Sequence, residues 1–185
     1  MANGTGTLTF VSDDDGDDIV VASSSTGAIS TATGDIILRT NGGDITLGNA
    51  SGKAIVASST ADVLLATTTD TTIIAPTSGS ILDGGGSITM AAGELNLLAD
   101  STGRGSGSVG TSAANIETIN LTKLSGVSSS GGFFIDNTST GLVDITEGAQ
   151  LGAGLTITGI TTTGALSIAS AGGIEVSTAI ASSTA

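Results

Sequence analysis

One pattern runs along almost the whole chain: an apolar residue, any residue, then a second apolar residue, bracketed by Gly, Ser, Thr, Asp or Asn. It occurs as Leu8/Phe10, Ile19/Val21, Ile36/Leu38, Ile45/Leu47, Ile55/Ala57, Val63/Leu65 and Ile73/Ala75. It continues as Ile88/Met90, Leu95/Leu97, Ile119/Leu121, Phe133/Ile135, Val143/Ile145, Leu155/Ile157, Leu166/Ile168 and Ile174/Val176. A period of two places both members of a pair on one face of a strand. The turn formers on either side limit each strand to about 3 to 5 residues, near the lower bound for strands.

Spacing carries more information than the pairs themselves. From Ile36 the leading positions are Ile36, Ile45, Ile55, Val63, Ile73 and Ile81, at steps of 9, 10, 8, 10 and 8 residues. Nearer the C-terminus, Ile145, Ile157 and Ile168 follow at steps of 12 and 11. Regular short strands suit a sandwich, a barrel or a solenoid. A sandwich fills the space between its sheets with aromatic or bulky side chains, yet this chain has three Phe and no Trp or Tyr. The strands are also many and too short to cross a sandwich. Neighbouring segments resemble each other, Gly34-Asp35-Ile36-Ile37-Leu38 being followed by Gly43-Asp44-Ile45-Thr46-Leu47, as coils that stack only on their neighbours require.

The expected fold is therefore all-β, a right-handed parallel β-helix (β-solenoid), the hand following the general preference for parallel crossovers. Residues 1–185 form a single domain in this reading, a segment of a longer repeat protein. Two or three strands per coil give about 20 to 27 residues per turn and roughly seven to nine coils. At ~4.8 Å per coil the column would be about 35–45 Å long. Pro76 would end the strand before it, and Gly103-Arg104-Gly105-Ser106-Gly107-Ser108 would form a slack corner.

Composition removes several functions. With no Cys and no His, the chain lacks a Cys/His zinc site, a Ser-His-Asp or Cys-His nucleophile and a disulfide framework. Without Trp or Tyr it has little aromatic platform for bases or sugars. Four Lys and Arg stand against 17 Asp and Glu, for a formal charge of −13 and a pI near 4.1. Four cations cannot build a phosphate-binding groove, so no nucleic-acid partner is expected, and an anionic membrane surface is disfavoured on the same ground. No window approaches the roughly 20 apolar residues of a spanning helix, so no membrane insertion is expected. Met1-Ala2-Asn3-Gly4 has neither the basic start nor the apolar middle of a secretory signal. Disorder is disfavoured by a mean hydropathy of +0.41 and only 11% charged residues.

Candidate sites each have a simpler structural explanation. The run Asp13-Asp14-Asp15-Gly16-Asp17-Asp18 supplies the hard oxygen ligands of Ca²⁺. It fails the EF-hand pattern, because Gly16 falls two places early if Asp13 opens the loop and Ser24 stands where Glu is needed. The expectation is a solvated acidic turn before the strand Ile19–Val21. Asp35 and Asp44 are expected at corners, their carboxylates accepting backbone N–H bonds in Asx turns, and Asp83 before Gly84-Gly85-Gly86 is read in the same way. Polysaccharide hydrolysis needs a carboxylate pair, and acids are present. Only Lys53, Lys123, Arg39 and Arg104 could bind an acidic sugar, however, and nothing aromatic of the Tyr or Trp kind could stack on one. Thr67-Thr68-Thr69, Thr71-Thr72 and Thr161-Thr162-Thr163 would make an ice-binding face only if Thr recurred at one register over many coils. They are read as ordinary strand and corner threonines. No catalytic, cofactor-binding or metal-ligating residue is assigned.

Gly43-Asp44-Ile45-Thr46-Leu47, Ser80-Ile81-Leu82-Asp83-Gly84 and the stretch from Gly107 to Thr118 resemble the repeat regions of filamentous-haemagglutinin-like large exoproteins and adhesins. Gly131-Gly132-Phe133-Phe134-Ile135 and Ala171-Gly172-Gly173-Ile174-Glu175-Val176 are similar in the same way. The patterns are loose and cover most of residues 34–176. The resemblance implies a β-helical stalk segment of a secreted or cell-surface bacterial protein, without catalysis or cofactor, with the receptor of the host or surface unspecified. The absence of Cys fits export of an unfolded chain. Two other functions stay open: a filament subunit associating homotypically, end to end, through unpaired terminal strands, and a carbohydrate-binding or carbohydrate-active β-helix.

Overall fold

In the computed structural model, which describes residues 6–68, 79–99, 106–148 and 157–182, parallel strands stack coil on coil as a β-solenoid. One face is a sheet whose main path runs β1 (Leu8–Asp15), β4 (Ile36–Asn41), β7 (Val63–Ala66), β10 (Glu94–Leu98), β12 (Lys123–Val127), β14 (Val143–Ile145) and β17 (Ile174–Val176). A second face stacks β3 (Ile29–Thr31), β6 (Gly52–Ala57), β9 (Gly86–Met90), β11 (Ile116–Ile119), β13 (Phe133–Asn137) and β16 (Leu166–Ser170). The third face is shorter, with β2 (Ile19–Val21), β5 (Ile45–Leu47) and β8 (Ile81–Asp83). It is prolonged by Val109, which bridges in parallel to Ile81 and to Phe133. Every pairing between these strands is parallel, and no helix occurs among the described residues.

The period-two pairs supply the core. Ile36, Val63, Leu95 and Leu124 lie in one inward column of the first sheet, and Leu38, Leu65 and Leu97 in the next. All of them are fully buried. Each such residue contributes about 1.5–3 kcal/mol on burial, stacked in register with the coils above and below and packed into one core shared by the three faces. Where the second column reaches Gly126, a Cβ would overlap the ring of Phe133. The aromatic ring fills the space that the missing side chain leaves. A second, smaller cluster sits on the outside of the first sheet, where Leu64, Ala66 and Leu98 pack with Ile157.

Coils are longer than expected, and the stack is correspondingly shorter. Corner positions on successive coils are 26 and 27 residues apart at first, but 36 and 32 further along. The six strands of the second sheet are separated by five intervals, about five turns instead of seven to nine. The seven levels of the first sheet then span about 30 Å at ~4.8 Å per step. Lys123–Leu124 of β12 pair with β14, whereas Gly126–Val127 pair with β15 (Ile160–Thr162), so one course of the first sheet is split by residues 146–159. Glu147 and Thr158, which follow β14 and precede β15, form an antiparallel bridge. The last strand, β18 (Ile180–Ser182), pairs with β15.

Two of the apolar pairs take other places. In β11 the buried residues are Ile116 and Thr118, while Ile119 is half-buried and Leu121 fills the following corner. Ile157 belongs to the outer cluster, not to a core strand. Ile73/Ala75, Leu155, Pro76 and residues 103–105 of the expected slack corner lie outside the described residues.

Candidate functional site

A recurring Gly-acid-aliphatic triplet, Gly34-Asp35-Ile36, Gly43-Asp44-Ile45 and Gly93-Glu94-Leu95, builds the corners. A Cβ at Gly34 would fall on the carbonyl oxygen of Gly6, one at Gly43 on that of Asp17, and one at Gly93 on that of Ala61. The preceding coil's backbone therefore occupies the place of a side chain. The acidic residue that follows latches two coils together. The Asp18 carboxylate accepts the Asp44 N–H at 2.7 Å, and the Asp44 carboxylate accepts the Ser80 N–H at 2.7 Å. On another corner Asp35 accepts from Asp62 N–H at 3.0 Å, and Asp62 accepts from Glu94 N–H at 2.7 Å. Asp35 and Asp44 are thus corner acceptors, as their type suggests. Their bonds nevertheless run to the next coil and not within an Asx turn, and they stand on different corners of one coil. Asp83 does close an Asx turn, accepting the Gly85 N–H at 2.9 Å.

A cleft of about 310 Å³ lies beside the junction of the second and third faces. Asp83 at the end of β8, Glu117 on β11 and Asp136 on β13 line it, together with Ser112, Asn115 and Thr138. Its wall is the turn from Thr111 to Ala114, closed by Thr111 N–H to Ala114 O at 2.9 Å and the reciprocal bond at 3.1 Å. Gly110 enters that turn at φ +64°, where a Cβ would also press on the Phe134 carbonyl. Glu117 and Asp136 stand directly opposite on paired strands, both exposed. Like charges so placed repel, and water screens them. The lining offers oxygen donors and acceptors and no cationic side chain. Among the described residues no group of three or more Asp, Glu, His or Cys is arranged to hold a metal ion.

The other candidates are dispersed. Asp13–Asp15 are not a turn: they continue β1 through a bulge, and the Asn41 side-chain amide donates to Asp15 Oδ1. Only Gly16, at φ +80°, and Asp17–Asp18 make the turn before β2. Arg39 lies on β4, where its Nε donates to the Thr68 carbonyl at 3.3 Å. Lys123 lies on β12, with β7 and β10 between the two, and Lys53 lies on the second sheet. Those three cations share no site, and Arg104 lies outside the described residues. Among the described residues the threonines form no ranked face. Thr67 is buried, its hydroxyl donating to Gly79 O at 3.0 Å, and Thr162 is buried on Ser128 at 2.9 Å. Thr161 points outward between Val127 and Ala181. Thr69, Thr71 and Thr72 lie outside the described residues.

Glu117 and Asp136 escape a linear reading because 18 residues lie between them. Their signal is positional: Ile116-Glu117-Thr118 and Ile135-Asp136-Asn137 are the same aliphatic-acid-polar triplet in successive coils. No protein-family model, curated protein or solved structure matches the chain.

Proposed function

We propose that the chain is a non-catalytic stalk segment of a secreted or cell-surface bacterial adhesin, of the filamentous-haemagglutinin-like kind that its repeats resemble. The observation that carries this reading is the continuous succession of parallel pairings from β1 to β17, which makes the described residues a column whose every level is hydrogen-bonded to the next. Such a column holds attached binding regions at a fixed distance and presents few entry points to proteases. Antibodies raised against the purified chain test the location. They should label intact producing cells or their culture medium; labelling that appears only after lysis would sink the proposal.

A second reading, carbohydrate binding, has the Asp83–Glu117–Asp136 cleft as its place. A glycan array separates the two. A stalk leaves the array blank, whereas binding abolished by Glu117→Gln with Asp136→Asn would transfer the function to the cleft.

A further inference from the structure

We propose that Asn41-Gly42 is a self-modification site, held closed by the coils on either side of it. When those contacts open, Asn41 converts to aspartate or isoaspartate, and the product blocks their return. The inference needs no partner and is independent of where the protein resides.

Of the seven Asn in the chain, only Asn3 and Asn41 precede Gly, and Asn3 lies outside the described residues. A glycine after Asn leaves its backbone nitrogen open to approach, because it carries no Cβ. The Gly42 nitrogen, its proton lost to solvent base, attacks Asn41 Cγ. The Cγ–Nδ2 bond breaks and the side-chain nitrogen leaves as ammonia. Water then opens the cyclic imide at one of its two carbonyls, giving aspartate or isoaspartate. One water enters, one ammonia leaves, and nothing is oxidised or reduced.

In the folded column the two reacting groups are bonded to different coils. The Gly42 N–H donates to the Thr67 carbonyl, just past β7, at 3.0 Å, so the nucleophile keeps its proton. The Asn41 side-chain amide instead donates to Asp15 Oδ1 on β1 and, at 3.5 Å, to the Asp13 carbonyl. The Asn41 carbonyl accepts the Gly16 N–H from that same preceding coil at 2.9 Å. Ring closure has to break the first of these bonds and turn the side chain out of the second.

Neither product fits the place that Asn41 leaves. Aspartate sets a carboxylate against Asp15 where an amide had donated, among Asp13, Asp14, Asp17 and Asp18. Isoaspartate adds a methylene to the backbone, which draws the Gly42 N–H away from the Thr67 carbonyl. An opening of the contact between β1, β4 and β7 is thereby recorded permanently.

The test holds the full chain in mildly alkaline native buffer and in strong denaturant at the same pH and temperature, and reads Asn41 by peptide mass spectrometry. Conversion in denaturant should be at least about tenfold faster, the factor for an opening that costs about 1.4 kcal/mol. Equal rates overturn the guard, and an Asn41 that survives denaturant overturns the site. Asp15→Ala removes the acceptor, so conversion should speed up in native buffer and stay unchanged in denaturant; an unchanged native rate overturns the role of Asp15. Asn41→Asp reproduces one product directly. It should lower Tm, by less in high salt, and Asp15→Asn in the same chain should restore most of the loss. An Asn41→Asp protein as stable as wild type in low salt overturns the block. Should either variant lose its β-sheet circular-dichroism spectrum, the wild-type comparison of native with denatured chain still decides.

Discussion

Gly93 stands where the Ala61 carbonyl of the preceding coil leaves no room for a Cβ, whereas Gly141 has nothing within 4 Å of that position. Gly93→Ala should therefore cost about 2–4 kcal/mol, from strain forced into a stacked backbone. Gly141→Ala should stay within about 0.5 kcal/mol of wild type. Thermal melts of the two variants check the contrast, and equal effects would refute the account of the corners. The acids beside these glycines form a column of their own. Asp62 stands over Asp35 and Glu94 over Asp62, then Lys123 lies in register with both Glu94 and Asp144, and Glu175 follows Asp144. Lys123 is a single positive charge flanked by carboxylates. Lys123→Glu should lower Tm by about 2–4 °C, with the loss shrinking in high salt; a salt-independent loss would point to packing instead. That Asp35 and Asp44 sit at corners is legible from Gly-Asp-Ile alone. Which acid stands over which is not, because the answer depends on coil length, and the coils vary.

At the scale of strands, the apolar pairs locate most of the core because each pair is two inward positions of one strand. The strands they miss are those with a polar residue or glycine at an inward position. Thr31 follows Ile29 in β3, Asp83 follows Ile81 in β8, Gly126 follows Leu124 in β12 and Thr162 follows Ile160 in β15. The core tolerates them through particular neighbours. Thr162 Oγ1 accepts from the Ser128 hydroxyl at 2.9 Å, and the Phe133 ring covers Gly126. A linear pattern cannot contain such pairings, since each partner belongs to another strand. The Gly126–Phe133 pair is open to measurement. Gly126→Ala should cost about 1–3 kcal/mol by overpacking, and Phe133→Leu about 1–2 kcal/mol by leaving a cavity. Because the smaller side chain makes room for the added methyl, the double variant should lose at least about 0.5 kcal/mol less than the two costs taken together. Additive costs would mean that the ring does not occupy the glycine's space.

For the whole molecule, a column in which each coil touches only its neighbours has a stability graded along its axis. Leu65, fully buried in β7, has partners on both sides in Leu38 and Leu97, while Ile180 has Ile160 on one side and water on the other. Leu65→Ala should cost about 2–5 kcal/mol, and Ile180→Ala below about 1 kcal/mol, with loss confined to the last coil. Native-state hydrogen exchange should rank the amides in the same order, β7 and β10 exchanging only on global opening and β17 and β18 by local fraying. The same gradient governs proteolysis. Arg39, Lys53 and Lys123 all lie within strands paired on both sides, and a protease needs an extended segment free of its neighbours. Trypsin acting on the native protein should therefore leave the bonds after these three residues intact, and should cut them only in denaturant concentrations that also release the central amides. A cut after Lys53 or Lys123 under native conditions would show that the middle of the column opens on its own. That would remove the rigidity on which the stalk reading depends.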